Sequence, residues 1–293
     1  MSANRLEAGR VMPWMDARGR LSPFKAASFA ALCAPAVWMA VRFSSGTWDF
    51  ISPYIPLIYH SGLWTTYLLL LSLLVTPLRR ITGWGPLLQI RRMIGVAAFL
   101  YGVLHLIAWF GLRAWSAQTL TAEALSRPTI WVATLGFVVL FALTATSTDG
   151  AVRRMGPERW RRLHRLVYPA AFLGVLHFLM SPGSLQGKPF LMAGALVWLL
   201  GWRVLDRRGA GRAPRALFAL GLAASAVTFF LQPVWLATFQ ALRQIQSPGA
   251  AMADNFDPQV WIYLGVPPVW ILLGATLAVA LYAAFRRRPA RTA

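Results

Sequence analysis

The chain has 293 residues, 57% of them hydrophobic and 13% charged, with a mean hydropathy of +0.54, which excludes an ordinary soluble domain and identifies a membrane protein. The formal net charge of +20 does not mark a nucleic-acid binder, because the basic residues fall loop by loop and not on one soluble face. A single cysteine, Cys33, excludes an internal disulfide, an iron–sulfur cluster and covalently attached c-type haem.

Crossing the hydrocarbon core takes about 17 to 25 apolar residues per helix. Eight stretches qualify: 27–43, 62–77, 93–112, 129–147, 163–181, 189–206, 215–238 and 263–285. They predict an all-α polytopic membrane helix bundle. Residues 1–26 read as a polar tail, and without a small-residue cleavage site after it the first span is expected to be retained. Basic residues concentrate in that tail, after the second span (Arg79 to Arg92), around the start of the fifth (Arg153 to Arg165), at and after the end of the sixth (Arg203 to Arg215) and at the chain end. That arrangement puts 24 of the 29 Lys and Arg on one side of the bilayer, against Arg42, Arg113, Arg127, Lys188 and Arg243 on the other. The positive-inside rule then predicts both termini in the cytoplasm. Trp84, Trp115, Trp131, Trp160 and Trp261 fall near span ends, as an aromatic belt does. Neither G-x-G-x-x-G nor a Walker sequence occurs, so no nucleotide-binding domain is expected within this chain.

The four histidines are His60, His105, His164 and His177. Ionisable groups within a bilayer are costly and commonly functional. At ~1.5 Å per residue, His105 lies roughly 20 Å beyond Arg92, His177 roughly 22 Å beyond Arg162, and His164 only roughly 3 Å beyond it. His105 and His177 are therefore expected to be level on parallel spans. A level pair of neutral imidazoles suits the two axial positions of a haem iron, and a porphyrin is an apolar plate suited to burial between helices; hydrogen-bonded packing is the other reading of each ring. On a helical wheel Gly95, Ala98 and Gly102 share the His105 side, and Ala170 and Gly174 the His177 side. Small residues let a flat ring approach, and they also serve plain helix packing. His164, in an Arg-rich stretch, fits headgroup contact as well as ligation, and His60 reads as an interfacial polar residue. His164 and His177 are about 140° apart on a straight helix, and Pro169 between them is expected to supply a kink that corrects part of the offset.

The run "TSTDGAVRRMGPERWRRLHRLVYPAAFLGVLHFL", with "VTPLRRITGW", "RRMIGVAAFLYGVLHLIAWF" and "YHSG" before it, resembles the YedZ/MsrQ family of haem-binding membrane subunits, part of the ferric reductase-like transmembrane group. The resemblance covers about residues 55 to 206. It implies a ferric reductase-like haem-binding domain over 27–208, with 209–293 a C-terminal extension carrying two further spans. It further implies a b-type cytochrome of the bacterial inner membrane, with haem b and FMN as cofactors. Electrons would come from the quinone pool or a cytoplasmic flavin reductase and pass to a periplasmic molybdopterin enzyme that reduces methionine sulfoxide in oxidised proteins. Carried over by position, the family's motif histidines fall on His105, His164 and His177. The wider group has a histidine 13 or 14 residues before the outer one on each helix, but here the position 14 before His105 is Arg91. Arg91 and Arg92 are therefore expected either to contact an anionic group, a haem propionate or the FMN phosphate, or to act as positive-inside anchors.

Two other functions fit parts of the sequence. A ferric or other metal reductase subunit would keep the haem and change the acceptor. A transporter or assembly protein would use the histidines structurally, but no Asp or Glu falls at mid-membrane to serve an ion route.

Overall fold

The helices begin and end where local chemistry dictates. The computed structural model describes residues 12–16, 18–48, 51–181, 187–240 and 247–286. Among them α1 spans Pro23–Ser44, α2 Tyr54–Thr82, α3 Leu87–Leu112, α4 Ala117–Ser126, α5 Pro128–Ala145, α6 Asp149–Met155 and α7 Pro157–Leu163. A 3₁₀ turn over His164–Leu166 leads into α8, Val167–Met180. There follow α9 Lys188–Arg207, α10 Pro214–Gln240, α11 Pro248–Ala253, α12 Pro258–Leu264 and α13 Pro268–Arg286. Eight of these segments are long and apolar enough to cross a membrane, with Pro157–Met180 counted as one. The chain is thus an all-α, multi-pass membrane helix bundle.

Four spans start five or more residues from the stretches expected; the third and fifth do so six residues early, at Leu87 and Pro157. The second starts at Tyr54, not 62, because Tyr59, His60 and Ser61 dilute hydropathy over two turns that are helical all the same. It ends at Gly83, which takes φ +73°, a left-handed cap that glycine adopts without a Cβ clash. The last span starts at Pro268 rather than 263, since α12 stops at Gly265 (φ +83°) and Pro267 and Pro268 follow. Large apolar side chains such as Val37, Leu100, Phe141, Phe172, Phe230 and Leu281 are exposed along the spans, a surface suited to lipid and not to water.

The most buried span, α2, lies between two cores. On one side Leu57, Leu68, Leu69 and Val75 pack with Met39 of α1, Ile94, Ala98 and Tyr101 of α3 and Leu140 of α5. On the other, Leu70 and Leu73 pack with Phe190, Leu196 and Trp202 of α9, Leu217 of α10 and Leu272 of α13. Arg80 at the end of α2 forms a 2.6 Å ion pair with Asp206 of α9, and Arg92 at the start of α3 a 2.7 Å pair with Asp149 of α6. Arg286 of α13 lies beside Gly83. The basic ends of these helices therefore share one face of the bundle.

Candidate cofactor site

A cavity of about 490 Å³ lies among α2, α3, α5 and α8 and is roofed by α4. Each of the four long walls contributes a glycine: Gly62, Gly102, Gly136 and Gly174. His105 of α3 and His177 of α8 both line it, with ring centroids 6.1 Å apart and planes at 87°. Thr65, Thr66, Thr121 and Thr134 also line it, and each hydroxyl donates to a carbonyl of its own helix. The imidazoles remain as the strong metal-ligating groups of an otherwise apolar wall.

Each ring is held in one tautomer by a backbone carbonyl. His105 Nδ1 is 2.8 Å from the Ile58 carbonyl of α2, and His177 Nδ1 is 3.1 Å from the Thr129 carbonyl of α5. A carbonyl only accepts, so Nδ1 carries the hydrogen in both rings and Nε2 keeps its lone pair. A hydrogen bond from the far ring nitrogen to a carbonyl is the usual support of a ligating histidine. Gly62 lets the His105 ring reach α2: a Cβ there would sit 2.9 Å from Nδ1.

The pair fits a bis-imidazole metal site. Two metal–nitrogen bonds of about 2.0 Å, plus about 1.1 Å from each nitrogen to its ring centre, add to about 6 Å, against the 6.1 Å present. No cluster of three or more His, Cys, Asp or Glu occurs among the described residues. Two imidazoles suit a metal whose other ligands come with a bound group, as iron's do from a porphyrin.

Of the small residues aligned by the helical wheel, Gly102, Ala170 and Gly174 line the cavity. Gly95 and Ala98 do not. Ala98 is fully buried in the core with α1 and α2, and a Cβ on Gly95 would meet nothing within 4 Å. Residues that sequence reasoning passed over are Gly136, the carbonyls of Ile58 and Thr129, and the roof residues Leu120, Thr121 and Ala124.

His164 does not line this cavity. The chain leaves α-geometry at His164–Leu166 and not at Pro169, which sits in the first turn of α8 where its missing N–H costs nothing. His164 stacks on Trp160 at 3.9 Å, and its Nε2 is 3.1 Å from Thr146 Oγ1. That hydroxyl already donates to Ala142 O, so Nε2–H donates to it and Nδ1 keeps its lone pair. Trp160 Nε1 donates to the Thr146 carbonyl, and Thr148 caps α6, which accounts for two threonines of the TST motif. Arg91 and Arg92 differ in their partners. Arg92 pairs with Asp149, whereas Arg91 lies within electrostatic range of Arg203 and Tyr168. The Asp149 carboxyl, outside the spans, is held below its ordinary range chiefly by its hydrogen bond from Arg92. His60 packs among Trp38, Trp48 and Tyr59, away from the cavity.

Residues 61–175, which carry His105 and His164 and end two residues before His177, match the family described as ferric reductase like transmembrane component. A protein of Azospira oryzae named protein-methionine-sulfoxide reductase heme-binding subunit MsrQ is 38% identical over 193 residues, 64% of this chain and 81% of that one. A Rhodospirillum rubrum protein of the same name is 39% identical over 215 residues, 71% of this chain and 100% of its own. One from Xanthomonas campestris is 44% identical over 156 residues, 53% of this chain and 71% of the relative. No solved structure matches. Complete coverage of one relative at this identity, together with the match over the histidine-bearing helices, means that the chain belongs to the YedZ/MsrQ family within the ferric reductase-like transmembrane group.

Proposed function

We propose that the chain is a membrane b-type cytochrome, the haem-binding subunit that feeds electrons to a separate protein-methionine-sulfoxide reductase. Haem b would lie in the cavity among α2, α3, α5 and α8, where Nε2 of His105 and Nε2 of His177 would hold its iron. One observation carries this reading: two imidazole rings lie 6.1 Å apart, centre to centre, in one cavity, each with Nδ1 tied to a carbonyl so that Nε2 keeps its lone pair. The relatives' name, heme-binding subunit, supports it independently.

Bound there, the haem would supply a one-electron couple. The chain's own contribution is positional. The Ile58 and Thr129 carbonyls fix both rings, four glycines give the flat group room, and the apolar walls with α4 above them keep water from the iron. Lack of a nucleotide-binding motif supports an external donor, a quinol or a cytoplasmic flavin reductase, and the acceptor would be a periplasmic molybdopterin enzyme. The basic face of the bundle would lie in the cytoplasm of an inner-membrane protein, with both termini on that side. Arg91, which makes no ion pair among the described residues where Arg92 makes one, is the better candidate of the two for the phosphate of FMN or a propionate of a second haem, with His164 within its electrostatic range. Residues 27–208 would form the haem domain, and 209–293 a packing or docking extension.

The test is a reduced-minus-oxidised spectrum of the purified protein with haem and flavin quantified, repeated on three variants. His105→Ala and His177→Ala are expected to lose the haem and its sharp reduced α-band, while His164→Ala keeps them. Retention of a bis-histidine spectrum in either of the first two would reject the pairing. Transfer to a ferric chelate uses the same cavity, and co-purification with a sulfoxide reductase separates that function from the one proposed.

A further inference from the structure

Three charged side chains that the haem ligation does not use stand close in the chain to residues lining the cavity, without lining it themselves. Arg113 caps the C-terminus of α3, one turn beyond the lining residues Trp109 and Phe110. Arg127 links α4 to α5, three residues before the lining residue Ile130, and Glu123 of α4 adjoins Ala124 in the roof. Glu123 Oε1 takes both guanidinium groups, Arg113 at 2.7 Å and Arg127 at 3.6 Å. Glu123 Oε2 and Arg113 Nε are buried without a hydrogen-bond partner. Two cations and one anion leave the trio a net charge of +1, with Glu123 and Arg113 mostly buried and Arg127 exposed, beside an apolar cavity.

The turn that builds this roof is unusual. Trp115 N–H bonds to Phe110 O and Ala114 N–H to Gly111 O, both at 3.0 Å, with Ala114 at φ +51° and Trp115 at φ +57°. Side-chain-bearing residues rarely adopt this conformation. Here it folds α4 back over the cavity, so Glu123 meets Arg113.

We propose that Arg113 and Arg127 form an anion site for the carboxylate arms of the tetrapyrrole held in the cavity, with Glu123 steering the two guanidinium groups over its outer end. A propionate accepted there neutralises the trio and satisfies Arg113 Nε, and charge-assisted Arg–carboxylate contacts are the strong class of hydrogen bond. The proposal rests on the haem reading above.

Haem release from the purified full-length protein to a soluble haem scavenger, followed by absorbance, tests it. Arg113→Gln is expected to release protohaem roughly tenfold to hundredfold faster than wild type, the loss of one charge-assisted bond. Glu123→Gln, which keeps an acceptor for Arg113 and removes the competing charge, is expected to hold protohaem at least as tightly as wild type. With haem dimethyl ester, which has no carboxylates, wild type and Arg113→Gln are expected to release at one rate. Equal loosening by Arg113→Gln and Glu123→Gln, or an Arg113→Gln effect that persists with the ester, would make the trio a structural staple and overturn the proposal. A wild type that retains protohaem and its ester equally would overturn it alone, whereas a wild type that binds neither would overturn the haem reading itself.

Discussion

Gly62 is the residue on which the His105 geometry turns, because its missing Cβ leaves the space in which the imidazole reaches the Ile58 carbonyl. Gly62→Ala is expected to push the ring off that carbonyl and release the preferred tautomer, costing about 1–2 kcal/mol of ligation. The measurement is haem per protein in membranes at limiting haem supply, expected to fall several-fold; unchanged occupancy with an unchanged spectrum would contradict it. Thr146→Val makes the opposite case. It removes the acceptor of His164 Nε2–H and should lower thermal stability by about 1 kcal/mol while leaving the His105–His177 spectrum intact. The histidine pair was legible in the sequence because depth follows from counting residues along a helix. Gly62 stood in the quoted YHSG motif without a reason, since a close approach between helices has no one-dimensional signature. Gly95 and Ala98 were assigned to the wrong surface for a related reason: a wheel gives angles about one axis and says nothing of where the neighbouring helices stand.

Helix ends decide the next scale. Pro169 drew attention as the place for a kink, yet the backbone leaves α-geometry earlier, at His164–Leu166, where Thr146 and Trp160 hold the histidine. The turn after α3 was invisible because its left-handed positions hold Ala114 and Trp115 instead of glycine or asparagine. Ala114→Gly should relieve a left-handed penalty of about 1 kcal/mol and raise the unfolding temperature in detergent by a few degrees; a fall would mean the turn is not under strain. At the opposite face, the Arg92–Asp149 pair joins α3 to α6. Asp149 has a lowered carboxyl pKa, so the stability this pair adds is present above about pH 4, the ordinary aspartate value, and is lost as pH falls through the lowered folded value. Both groups are largely exposed, so the effect is expected to be small and screened by salt.

Across the molecule, the last two spans join the bundle through glycine contacts. Gly194 of α9 faces Thr228 of α10, Gly201 faces Leu220, and Gly221 of α10 faces Thr276 of α13, each too close for a Cβ. Between helices in lipid, where burial of apolar surface gives little drive, such close backbone approach supplies the packing. Trp202, fully buried, donates to Gly211 O and ties α9 to the loop before α10. Gly194→Leu is expected to force α9 and α10 apart and lower stability by about 1–3 kcal/mol, read as a lower unfolding temperature. The haem spectrum should persist, since neither α9 nor α10 lines the cavity; loss of the spectrum would show that the two cores are coupled through α2.

Composition and hydropathy by themselves determined that this is an eight-span helical membrane protein, because bilayer thickness sets a length that any apolar run either meets or misses. They also determined the level histidine pair, because rise per residue is constant. Tertiary structure alone decided which glycine clears the ring, which carbonyls fix the tautomers, that His164 stands apart with Trp160 and Thr146, and that Arg113 and Arg127 converge on Glu123. Those facts depend on how one helix is rotated and shifted against another, and that arrangement is set by packing among segments far apart in the chain.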